Sequence, residues 1–214
     1  ILSGFRICHR LLAAWGALAE ITHSFSFPQS DTNLPNFFIS IVLAALAAMV
    51  SGNTECINAK ALIGNLLMFQ DIGFLKSGTW VEPFCSNLPL WSLSYEWWFY
   101  VAFALLFSSD RWTMRSRRTI VAIVSVLGSV LFLLYPAQPF LFASYFSLWW
   151  TGLELCLEYR QRKETSFQRQ KFSMLLLIAC AAIWAIPVVL ALFSRNPIVL
   201  GREPFLQLRH FGAG

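Results

Sequence analysis

The sequence predicts an all-α fold, a polytopic transmembrane helix bundle with about six to seven membrane segments forming a single membrane domain over residues 1–214. Three observations lead there. Hydrophobic residues fill 57% of the positions, charged residues only 13%, and the mean hydropathy is +0.59. A soluble domain carries about 25% charged residues, so a soluble fold of this length could not hide so much apolar surface. Several runs approach or exceed the roughly 18 to 20 apolar residues a spanning helix needs, and short polar or basic loops separate them. The chain opens at Ile1 without a Met and stops at Gly214 within an apolar stretch, which reads as a piece of a longer protein lacking a first helix and a C-terminal part. No signal-peptide pattern is visible in these residues, and a removed N-terminus would hide one.

The segments differ in quality along the chain. Leu11 to Phe27 is interrupted by Glu20 and His23, Phe37 to Val50 is short, and Ala61 to Leu75 carries Asn65, Gln70 and Asp71. These three read as spanning, interfacial or re-entrant. Leu88 to Phe107, Thr119 to Tyr135, Pro139 to Tyr159 and Ser173 to Phe193 have the length and apolarity of spans. Prolines such as Pro28, Pro83, Pro89, Pro136 and Pro139 stand near the proposed ends, where helices stop, whereas Pro187 would kink the last complete span. Neither a repeat nor a low-complexity tract is present.

Basic residues orient the scheme. Arg111, Arg115, Arg117 and Arg118 follow one span, and Arg160, Arg162, Lys163, Arg169 and Lys171 come two spans later, so both clusters face the same side. By the positive-inside rule that side is the cytoplasm, which puts residues 53–87 largely outside or half-embedded. The net charge of +5 then reflects loop topology and attraction to anionic membrane lipid, not a nucleic-acid partner. The five cysteines form no framework: Cys8 falls on the reducing side, and Cys156 and Cys180 lie in apolar helices. Cys56 and Cys85 share the outer segment, where an oxidising compartment would allow them to bond. His9 and His23 have no metal-ligand spacing, so no metal site is expected.

One ionisable group falls inside an otherwise apolar span. In Leu90 to Tyr100, LWSLSYEWWFY, Glu96 sits about 12 Å into a helix that begins at Leu88, too deep to reach the interface easily. A charge at that depth is costly and by default marks a site. Ser92, Glu96 and Tyr100 follow at helical spacing and share one strip, with Ser94 and Trp98 on another face. Such a strip suits a water-accessible cavity where a carboxylate binds a hydroxyl or assists a proton transfer. The plainer alternative is a buried Glu that locks packing through one hydrogen bond. Glu154 lies close to the basic loop and reads as a partner of Arg160 or a residue reaching the interface, and Arg209 and His210 read as surface or interface residues.

The LWSLSYEWWFY stretch resembles the segment of the integral membrane acyltransferase-3 family that reads approximately W-S-L-x-x-E-x-x-F-Y. Weaker likenesses are Ile1 to Phe5, Asn65 to Gln70, the Trp149-Trp150-x-Gly152-x-Glu154-Leu155 stretch and Leu208 to Phe211. The resemblance implies transfer of an acyl group, most often acetyl, from acyl-CoA to a hydroxyl of a surface polysaccharide or other carbohydrate, including lipid-linked glycans. It implies no bound cofactor and a multi-pass protein of the bacterial inner membrane. Glu96 carries over as a supporting catalytic residue. Ser92 and Tyr100 are substrate-binding candidates by helical phase, and Arg117 and Arg118 are candidates for the phosphates of coenzyme A, although topology alone accounts for them. The family's helix-one His and Arg pair is not matched: Arg10 and His23 follow the Ser-Gly-Phe likeness, and the stretch from Cys8 to Leu34 departs from the pattern. An inactive remnant, another non-catalytic membrane protein and a transporter are the competing readings, and a transporter would be expected to carry internal repeats.

Overall fold

Apolar runs bounded by proline, by Asn or Thr caps and by basic turns dictate helices, and the computed structural model contains them. It describes residues 34–108, 112–162, 168, 170–193 and 205–213. The span expected at Leu11 to Phe27, the residues from Ile1 to Asn33 that carry His9, Arg10 and His23, and the Arg111, Lys163 and Arg169 positions lie outside the described residues. In chain order the helices are α1 (Leu34–Val50), α2 (Ala59–Leu66), α3 (Leu90–Phe107), α4 (Met114–Leu134), α5 (Gln138–Arg162), α6 (Lys171–Phe193) and α7 (Phe205–Ala213). Among the described residues the fold is all-helical, and the one β feature is an isolated parallel bridge between Gln70 and Val81.

Local chemistry sets the boundaries. Asn58 caps α2 by accepting from the Ala61 amide at 2.8 Å, and Thr113 caps α4 by accepting from the Ser116 amide at 3.2 Å. Pro89 already has helical φ and leads into α3. Pro187 lies inside α6, which nevertheless continues to Phe193.

Three helices are long and apolar enough to cross a membrane: Met114–Leu134, Gln138–Tyr159 and Lys171–Phe193. They coincide with three of the spans read from sequence. The other candidates are shorter or more polar. α1 is a shorter apolar helix, and α3 has the length but carries Glu96 and a polar, ring-rich first half. The Ala61 to Leu75 segment is helical only to Leu66: the Asn65 and Gln70 side chains turn inward to the Glu82 and Leu90 carbonyls, and the Asp71 amide bonds the Val81 carbonyl.

The central helix is α5, with 72% of its apolar window buried against 33% for α4 and 28% for α6. Its aromatic side chains Phe142, Tyr145, Phe146, Trp149 and Trp150 form the core with Tyr95 and Phe99 of α3 and Trp184 of α6. Lipid removes most of the hydrophobic drive between helices, so close packing and hydroxyl bonds must hold them. Gly128 lets α4 and α5 touch, since a Cβ there would fall 2.7 Å from Ala143 Cβ and 2.8 Å from the Phe140 carbonyl. Beside it the buried Ser129 and Ser144 hydroxyls pair at 2.7 Å, and the Trp184 indole donates to Ser144 at 3.1 Å. That knot ties α4, α5 and α6 together.

The bundle has two ends. At one, α3 ends beside the start of α4, where Arg117 Nε donates to the Leu106 carbonyl at 3.1 Å. Lys171 opens α6 at the same basic end. At the other, the connection between α2 and α3 packs onto the starts of α3 and α5: Gln70 Nε2 donates to the Leu90 carbonyl at 3.0 Å and the Gln138 amide to the Gly78 carbonyl at 3.1 Å. Gly78 holds φ +71 there, and any Cβ would lie 2.4 Å from the Pro136 carbonyl carbon.

Candidate functional site

The loop that follows α2 is irregular yet fixed. Asn65, fully buried, donates from Nδ2 to the Glu82 carbonyl at 2.9 Å and accepts the Phe84 amide at Oδ1 at 3.0 Å. The Asp71 amide donates to the Val81 carbonyl at 3.0 Å, and Ser94 of α3 donates its hydroxyl to the Gln70 carbonyl at 2.8 Å. A disulfide joins Cys56 to Cys85 across the base of this segment, the pairing that the sequence left open.

Within that frame a turn over residues 72–76 brings Lys76 back over Asp71, with the Lys76 amide donating to the Ile72 carbonyl at 3.0 Å. Lys76 Nζ lies 2.7 Å from Asp71 Oδ1, and the two side chains are 2% and 0% exposed. The second carboxylate oxygen accepts from the Tyr95 hydroxyl at 2.5 Å, and Nζ donates to that hydroxyl at 3.2 Å. The ammonium also stands 4.2 Å from the centre of the Trp91 ring, so it is met by a carboxylate, a phenol and an aromatic face.

Tyr95 extends the cluster into the bundle. Its ring meets Phe142 edge-on at 4.7 Å and lies 5.5 Å from the ring of Tyr145. The Tyr145 hydroxyl pairs with His210 Nδ1 of α7 at 2.8 Å. Burial, then the positive charges of Lys76 and Arg209, push the His210 imidazole down to about 4, and Asp71 opposes them. At neutral pH the ring is uncharged. The loop, α3, α5 and α7 thus bring together an ion pair, two phenols and a neutral imidazole, groups that can orient a hydroxyl or a carbonyl and exchange protons.

The residues proposed from sequence occupy other places. Ser92 is exposed and donates to the Pro89 carbonyl at 3.3 Å. Glu96 and Tyr100 are half-buried, and the Tyr100 ring stands edge-on to Trp149 at 6.3 Å. The α3 residue that enters the polar cluster is Tyr95, one position before Glu96. At the basic end Arg117 is largely buried, with its guanidinium 4.0 Å from the Phe107 ring centre. Arg118 Nε lies 2.6 Å from Glu154 Oε1, and the other oxygen of Glu154 accepts from the Ser173 hydroxyl. Glu154, expected to pair with Arg160, is held by Arg118 and Ser173; the Arg160 side chain lies outside the described residues. Arg209 is exposed, whereas His210 turns inward to Tyr145.

Sequence reasoning passed over Asp71, Lys76 and Tyr95. A signal was present: Asp71-Ile72-Gly73-Phe74-Leu75-Lys76 places opposite charges at the ends of an otherwise apolar run, a pattern that favours a buried ion pair closed by a turn. No family model, curated protein or solved structure matches this chain.

Proposed function

We propose that the chain forms the core of a multi-pass membrane O-acyltransferase of the acyltransferase-3 type, with six to seven membrane segments. It would move an acyl group, acetyl in the simplest case, from acyl-CoA to a hydroxyl of a surface polysaccharide or other carbohydrate. The observation that carries the reading is that LWSLSYEWWFY forms one helix, and that its Tyr95 enters a buried cluster with Asp71, Lys76, Tyr145 and His210. Acyl transfer to a hydroxyl needs groups that orient an alcohol and meet charge on a carbonyl oxygen, away from bulk water. This cluster has that composition.

In this reading the basic end faces the cytoplasm of a bacterial inner membrane, by the positive-inside rule, and the loop end faces out. The Cys56–Cys85 disulfide suits an oxidising compartment, but Cys156, close to Glu154, is disulfide-bonded too, so the orientation rests on the basic residues alone. Glu96, half-buried on α3, supports the site by orienting base or acceptor, with Ser92 and Tyr100 along its strip contacting substrate. Arg118, with 38% of its side chain exposed, is the more accessible of the two arginines for a coenzyme A phosphate, and Arg117 lies beside it. The engagement of both arginines in packing contacts favours a second reading, a membrane protein that keeps the bundle without the chemistry.

Transfer of labelled acetyl from acetyl-CoA to glycan by membranes containing the full chain separates the two. The expected result is transfer by the wild type and a marked loss in Glu96→Gln. No transfer by the wild type favours the non-catalytic reading, and a fully active Glu96→Gln enzyme removes Glu96 from the mechanism.

A further inference from the structure

His210 is the one imidazole among the described residues, and its two nitrogens are placed unequally. Nδ1 meets the Tyr145 hydroxyl, whereas among the described residues nothing pairs with Nε2 and the residue keeps part of its surface accessible. The partner of one ring nitrogen sets the tautomer at the other. The Tyr145 hydroxyl can donate to Nδ1 or accept from it; we adopt the donating arrangement, which leaves the hydrogen on Nε2. The phenol itself is fixed, because the Tyr145 ring packs against Phe211 at 5.6 Å and against Tyr95, whose hydroxyl Asp71 and Lys76 hold.

A strongly lowered basicity makes this ring a poor proton acceptor at neutral pH and a reliable neutral donor. Resting on the acyl-transfer reading, we propose that His210, held by Tyr145, donates from Nε2–H to the carbonyl oxygen of the acyl thioester as that oxygen takes up negative charge. The acceptor hydroxyl oxygen forms the new bond to the carbonyl carbon while the carbonyl π pair moves onto oxygen. Collapse re-forms the carbonyl and breaks the carbon–sulfur bond, and the hydroxyl proton ends on the departing thiolate. His210 keeps its own proton throughout. A donor already in place inside a packed cluster needs no reorganisation when charge develops, which is where such groups contribute most.

The test compares His210→Ala, His210→Gln and His210→Asn in the full chain, with acetyl-CoA as donor and glycan as acceptor, and thermal melting as the check on folding. A Gln amide N–H can stand where Nε2–H stood, whereas the Asn amide falls near Nδ1. The expected result is a loss of about 100-fold or more in kcat for Ala at nearly unchanged KM, with Gln recovering most of it and Asn little. Should the Ala variant not fold, the contrast of Gln with Asn carries the same comparison. Transfer by the wild type with Gln as inactive as Ala or Asn overturns the donor role alone. Absence of transfer by the wild type overturns the acyl-transfer reading and the donor role together.

Discussion

The loop end and the basic end of the bundle both bury charge, but they do so with different parts. At the loop end, Asp71 and Lys76 come from an irregular segment, Tyr95 from α3, Tyr145 from α5 and His210 from α7. At the basic end Arg118, Glu154 and Ser173 sit on the neighbouring helices α4, α5 and α6. The first arrangement exists only if a loop holds its shape, and it leaves one imidazole nitrogen unengaged among the described residues. The second links helices that already pack through Gly128, Ser129 and Ser144. Assembly from remote elements is costly and is characteristic of a site, whereas a bond between adjacent helices is equally well explained as a staple.

The largest expected effect comes from splitting the loop-end ion pair. Removing one member of a buried pair leaves the other charge unpaired, at a cost of about 3 to 5 kcal/mol, whereas replacing both with apolar residues of similar volume is often near neutral. Asp71→Leu should therefore strongly lower the melting temperature of the detergent-solubilised protein. Lys76→Met should do the same, and the double variant should recover much of the loss. If each single variant melts like the wild type, the ion pair does not hold the loop end together.

A smaller effect separates the loop from the rest of that end. The Cys56–Cys85 bond closes a segment with a sequence separation of 29, and loss of such a link costs about 2 to 4 kcal/mol through the freedom returned to the unfolded chain. Cys85→Ser should lower the melting temperature and expose the Cys56 thiol to a maleimide. Unchanged melting in Cys85→Ser would mean that Asn65, Gln70 and Ser94 hold the loop by themselves.

These two regions were not equally legible in the sequence. The positions of α4, α5 and α6 followed from apolar length alone, because a spanning helix satisfies its own backbone and needs only about 20 apolar residues. The loop end was opaque for the opposite reason. Asn65, Gln70 and Asp71 interrupt an apolar run, and their partners, the Glu82 and Leu90 carbonyls and Lys76, are fixed by tertiary placement that no periodicity encodes. Helical phase located the strip of Ser92, Glu96 and Tyr100, but phase cannot tell which side of a helix meets a loop. Tyr95, on the neighbouring face, makes that contact. His210 was hidden in the same way, since its partner Tyr145 is 65 residues away.

The smallest expected effect belongs to the basic end. Arg118 keeps 38% of its side chain exposed and Glu154 only 3%, so solvent screens the pair from the arginine side alone, whereas both members of the loop-end pair are buried. Arg118→Met keeps the cover over Phe172 and leaves the Ser173 hydroxyl on Glu154, but it strips the buried carboxylate of its cation. The melting temperature should therefore fall measurably and by less than in Asp71→Leu, where the carboxylate, the ammonium and the Tyr95 hydroxyl are all buried. Glu154→Leu leaves Arg118 free to turn into solvent but takes the acceptor from the buried Ser173 hydroxyl, at a cost of about 1 to 3 kcal/mol, so it too should melt between the wild type and Asp71→Leu. The two variants thus measure the contrast between the ends: losses in both well below that of Asp71→Leu assign the basic end to local stapling, and a drop as large as that of Asp71→Leu would erase the distinction.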